Sequence, residues 1–113
     1  MIKIRKASFS DKKIIVNFQL NMALETESVK LDEQTVNLGV GQILEDPTKG
    51  QYFVAETNGN VIGSLLTTYE WSDWRNGTTL WIQSVFVDIN HRGKGAYKAL
   101  YAHVKSLVQN DSN

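Results

Sequence analysis

The stretch that most constrains this chain runs from Trp81 to Val108: an apolar segment through Val87, then Asp88-Ile89-Asn90-His91-Arg92-Gly93-Lys94-Gly95-Ala96, then an amphipathic run. It predicts a buried strand, a basic glycine loop and a helix. Glycine lets a backbone turn tightly and approach a ligand. A helix start offers N–H groups without intrahelical partners and the positive end of the helix dipole. Arg92 and Lys94 add formal charge beside those donors. Tyr97, Leu100, Tyr101, Val104, Leu107 and Val108 recur at the spacing of a helix face packed on a sheet. Together these make an anion-binding device; the plainer alternative is a tight turn with solvated charges. Two familiar phosphate loops are excluded by spacing, since the chain has neither Gly-x-x-x-x-Gly-Lys-Ser/Thr nor Gly-x-Gly-x-x-Gly after the strand.

The preceding residues read as a compact series of elements. Ile2 to Lys6 alternates apolar and basic residues, as a half-buried strand does. Ser8 stands three residues before Asp11, a capping-box start to a helix carrying Ile14, Ile15, Phe18 and Met22. Glu25-Thr26-Glu27-Ser28 reads as a polar break, and Asp32-Glu33 begins a second helix with Val36, Val40, Ile43 and Leu44, stopped at Asp46-Pro47. Tyr52–Glu56, Val61–Trp71 and Thr78–Asp88 read as a three-strand meander with Asn-Gly turn signals at Asn58-Gly59 and Asn76-Gly77. After Gln109 the sequence is polar. At 113 residues with 42% apolar and 21% charged content, this is one small domain spanning 1–113.

Composition narrows the chemistry. Basic and acidic residues balance at 12 each, so no net field favours nucleic acid or a membrane surface. The absence of Cys excludes disulfides and an acyl-cysteine intermediate, and agrees with a cytoplasmic location. No apolar run reaches membrane-spanning length. His91 and His103 have no second His or Cys to form a metal site with them, so no metal is expected.

The loop resembles the acetyl-coenzyme A loop of the GNAT N-acetyltransferase superfamily, Gln/Arg-x-x-Gly-x-Gly/Ala after an apolar strand. Asn90-His91-Arg92-Gly93-Lys94-Gly95 fits with Asn90 in the first position; Arg92-Gly93-Lys94-Gly95-Ala96-Tyr97 fits with Tyr97 in the last. Each register carries one mismatch. The likeness extends to the element order β-α-α-β-β-β-α and implies an α/β fold (an α+β mixed sheet). It also implies that the chain lacks the strand, helix and hairpin that follow the third helix in the family. On that basis the chain is expected to be truncated, or completed by a second copy or another chain at the Thr78–Asp88 edge, with little transferase activity alone.

The resemblance further implies acetyl-CoA as co-substrate and a small-molecule amine as acceptor. Val85, Phe86 and Val87 would lie along pantetheine, and Arg92, Gly93, Lys94, Gly95, Ala96 and Tyr97 would hold the pyrophosphate. Gln83 stands where polyamine-type relatives have Glu; it can orient a substrate but not accept a proton. Glu70 on the neighbouring strand is the candidate base, with a solvated strand-end carboxylate as the plainer reading. Trp71, Glu25, Glu27 and Asp73 form a candidate substrate mouth suited to a cationic amine, against the plainer readings of an aromatic satellite core and solvated charges. The family's thiolate acid, a later Tyr, has no counterpart among the residues here. Two rivals stand beside the enzyme: a non-catalytic CoA-binding or interaction module, and an unrelated phosphate-binding domain.

Overall fold

In the computed structural model, residues 1–110 are described. The elements follow the expected order: β1 (Lys3–Lys6), α1 (Lys12–Glu27), α2 (Glu33–Glu45), β2 (Gln51–Thr57), β3 (Asn60–Ser72), β4 (Gly77–Val87) and α3 (Ala96–Asn110), with single 3₁₀ turns at Phe9–Asp11 and Ile89–His91. The strands form one sheet in the order β1-β2-β3-β4, and every pairing among the described residues is antiparallel. α3 continues one residue past Gln109; the rest of the expected polar tail lies outside the described residues.

Local chemistry sets these boundaries. The Ser8 backbone N–H donates to the Asp11 carboxylate at 2.8 Å, closing the turn into α1. The same carboxylate accepts two bonds from the Arg5 guanidinium, at 2.8 and 3.0 Å, tying β1 to the helix entrance. Those bonds hold the buried Asp11 carboxyl below the usual carboxylate range, against the opposing effect of burial. Asp32 caps α2 by accepting from the Thr35 N–H at 3.0 Å. Asn58, Gly59 and Asn76 take positive φ (51°, 81° and 51°), as the tight hairpins require.

One boundary differs from the sequence reading. Glu25 and Glu27 lie in the last turn of α1, not in a loop. Glutamate favours a helix, and the helix ends where Ser28 enters the left-handed region at φ 54°. The buried face of α1 is Ile15, Val16, Phe18 and Ala23, with Ile14 and Met22 only half-buried.

The sheet separates two apolar clusters. On one face Ile15 and Val16 of α1 and Val40 of α2 pack on Tyr52 and Val54. On the other, Ala96, Leu100 and Val104 of α3 pack on Phe53, Leu65 and Val87. Tyr97 and Tyr101 stay outside this core, being 58% and 49% exposed, so the buried stripe of α3 is offset from the expected one. Gly63 sits where β3 and β4 meet most closely; a Cβ there would lie 2.8 Å from the Phe86 carbonyl oxygen.

The β3–β4 ladder carries an irregularity that positions the site. Leu66 faces Ser84 and Thr67 faces Ile82, so Gln83 is an extra residue bulged out of β4. The bulge changes the parity of the strand. Leu80 therefore joins Val85 and Val87 on the α3 face, and Trp81, opposite Thr68, turns to the α1 face. The outer edge of β4 has no strand beside it among the described residues.

Candidate functional site

Past Val87 the chain makes the 3₁₀ turn at Ile89–His91 and then two left-handed glycines, Gly93 (φ 80°) and Gly95 (φ 93°). A Cβ at either would meet nothing within 4 Å. Glycine is needed here for backbone conformation rather than packing, and the space beside it is open. The first intrahelical bond of α3 runs from the Ala99 N–H to the Gly95 carbonyl at 2.9 Å. The N–H groups of Ala96, Tyr97 and Lys98 are therefore free of the helix ladder, beside the positive end of its dipole.

These groups border a cavity of about 590 Å³, within the range of small-molecule sites. One wall is Val85–Val87 of β4, another is the last two turns of α1 through Met22, Glu25 and Thr26, and the floor is Gly93, Gly95 and the start of α3. The structure thus brings Val85, Phe86, Val87, Arg92, Gly93, Gly95, Ala96 and Tyr97 around one space. Lys94 is exposed and absent from that lining, while Lys98, one helical turn on, is part of it. A larger cavity of about 910 Å³ lies against α3, lined by Phe53, Tyr69, Trp71, Leu80 and Leu107 among others. Its described lining carries no formal charge, which ill suits a polyanion.

Arg92 is held by the protein itself. Its Nε donates to the Val87 carbonyl at 2.9 Å, and Nη1 and Nη2 each donate to one oxygen of Glu25 at 2.8 Å. The guanidinium carbon lies 5.4 Å from the Phe86 ring centroid, and that ring packs on Phe18 of α1 at 5.1 Å. The ion pair holds the Glu25 carboxyl below its ordinary range and raises Arg92. Glu25, expected in the acceptor mouth, is instead the partner of a loop residue. His91 Nδ1 lies 3.0 Å from the Asp88 carboxylate at the same rim.

On the α1 face, Gln83 Nε2 donates to Thr68 Oγ1 at 2.8 Å and Gln19 Nε2 reaches Ser84 Oγ at 3.4 Å. Glu70, opposite Thr79, and Trp81, opposite Thr68, share that face. Trp71 lines the α3-side cavity instead, so the register parts it from Trp81 and Glu70. Asp73 and Trp74 are exposed in the turn after β3, and Glu27 is exposed on the last turn of α1. Met22, Thr26, Gln19 and Lys98 were not singled out from sequence. Lys98 alone left a signal there, standing three residues after the last loop glycine. Among the described residues no group of three His, Cys, Asp or Glu side chains is placed to hold a metal, and no helix is long and apolar enough to cross a membrane.

The profile of the acetyltransferase (GNAT) family matches residues 17–112. A possible acetyltransferase from Clostridium difficile 630 is 42% identical and superimposes with a TM-score of 0.96, covering 100% of this chain and 74% of its own. A ribosomal-protein-alanine N-acetyltransferase from Brucella melitensis biovar Abortus 2308 has the same fold at 17% identity and TM-score 0.80, covering 99% of this chain and 74% of its own. No curated protein matches the sequence.

Proposed function

Since this chain belongs to the GNAT acetyltransferase family, we propose that it binds acetyl-CoA in the cavity between α1 and the Gly93–Gly95 loop. The acceptor in this reading is a primary amine on a small cationic molecule. Acetyl transfer from acetyl-CoA is the family's chemistry. The single observation that carries the assignment of the site is the loop itself. It has two left-handed glycines with open space beside them, and they lead into a helix whose first N–H groups are free of the ladder, on the floor of a cavity of about 590 Å³.

A thioester is already activated, so what remains for the chain is to bind, orient and move a proton. Ala96, Tyr97 and Lys98 offer backbone donors and one cation to the pyrophosphate. Val85–Val87 offer an apolar wall to pantetheine. The amine approaches along the α1 face beside Gln83, whose bulge opens the ladder at that point. Glu70 stands one same-face step from Thr68, about 7 Å along the strand, and in this reading takes the amine proton. Its charge and the face of Trp81 favour a cation. A second reading, a CoA-binding module without turnover, draws on Gln83, an amide with no basicity bound to Thr68. Acetyl-CoA should raise the melting temperature where ATP does not, and an amine panel should release free thiol fastest with cationic acceptors. Equal shifts with both nucleotides would remove the site assignment; a preference for an amino-dicarboxylate would remove the acceptor class.

A further inference from the structure

The Glu25–Arg92 pair raises a question that the acetyl-CoA reading does not answer. A carboxylate lines a cavity assigned to a polyanion, and the arginine of the loop is turned away from that anion to meet it. Arg92 has three of its five donors engaged, one on the last carbonyl of β4 and two on Glu25, with its plane over Phe86. Its fork is thereby directed at α1. The residues it joins belong to opposite walls of one cavity: Glu25 to the last turn of α1, Val87 and Phe86 to the end of β4.

We propose that Glu25 is a positioning residue that fixes the last turn of α1 to the glycine loop through Arg92, setting the width of the acetyl-CoA cavity. Arg92 serves as the link between the walls, and the pyrophosphate charge is met by the helix N–H groups and Lys98. This rests on the acetyl-CoA reading of the cavity. Three observations support it over a chance surface pair. The contact is bidentate with both bonds at 2.8 Å, it spans 67 residues of sequence, and it is continued behind the guanidinium by the Val87 carbonyl and the Phe86–Phe18 stack. Removing Glu25 also gives opposite signs for the two roles open to Arg92. If Arg92 met the phosphate, releasing it from a competing carboxylate would tighten binding. If it links the walls, releasing it loosens the cavity and weakens binding.

The test is a double-mutant cycle read by titration calorimetry with acetyl-CoA. Glu25→Gln is expected to weaken binding about fivefold, the upper end of what an exposed pair contributes, at unchanged melting temperature. Where turnover is followed, the loss should sit in KM with kcat held. Arg92→Gln should cost a similar factor, and the double variant should be no weaker than about fivefold, because both changes remove one link. Arg92→Lys should fail to rescue, since an ammonium keeps the charge but not the fork. Unchanged or tighter binding in Glu25→Gln would overturn the proposal, as would a double variant weakened about 25-fold, the product expected of independent sites. Absence of acetyl-CoA binding in the unaltered chain would overturn the site reading itself and this inference with it.

Discussion

The two halves of β4 make an instructive pair. From Ser84 to Val87 the strand lies between helices: Phe86 packs on Phe18 of α1, and Val87 belongs to the cluster under Leu100 and Val104 of α3. From Gly77 to Ile82 it pairs with β3 alone, beyond the end of the β2 ladder at Thr67, and Trp81 is 49% exposed. Residue types are similar in the two halves; neighbours are not. The Gln83 bulge is the divide, and the loop that follows the packed half is the one assigned to the ligand. A ligand loop needs a fixed base, and here that base is the strand end sealed from both sides.

Perturbations should follow this division. Leu100 is fully buried under the packed half, so Leu100→Ala should lower unfolding free energy by about 2–5 kcal/mol in urea melts. At the far edge of the sheet, Asp11→Ala should cost about 2 kcal/mol, between the values for exposed and buried pairs. Asp11 is depressed in the folded state, so its contribution is complete above the unfolded carboxylate value of about 4 and fades as pH falls through the folded value. Melts of the variant and unaltered chains should therefore converge in acid; a gap that persisted there would argue for a packing role instead. Gly63→Ala should cost about 1–3 kcal/mol by forcing β3 from the Phe86 carbonyl, and should reach the loop through Val87. Trp71→Ala, on the open half, should move stability by no more than about 0.5 kcal/mol despite the size of the side chain. A large loss there would show that the open half carries more packing than its exposure indicates.

What the sequence made legible follows the same line. Elements with local causes stood out: the Asn-Gly hairpins, the Asp32 cap, the strand–loop–helix run and its glycines. Two things did not. The Gln83 bulge reverses the parity of half a strand, and alternation read from sequence cannot reveal an inserted residue. Trp71 and Trp81 consequently looked like neighbours although they face opposite sides of the sheet. The Arg92–Glu25 pair depends on how α1 docks against β4, a contact across 67 residues that no local pattern encodes. It also required α1 to continue through Glu27, where the polar run had suggested a break.

Gly95 is the position at which the assignment of the loop is most exposed to test. Its backbone is left-handed at φ 93° and a Cβ meets nothing within 4 Å, so a substitution adds bulk and charge toward the open cavity without a steric conflict in the protein. Aspartate is among the residues that tolerate this conformation. The measurement is titration calorimetry of acetyl-CoA against the unaltered chain and Gly95→Asp, with the fold of the variant verified by circular dichroism. The expected result is a loss of at least tenfold in affinity, about 1.4 kcal/mol. Unchanged affinity in a folded Gly95→Asp variant would contradict the claim that this loop holds the pyrophosphate.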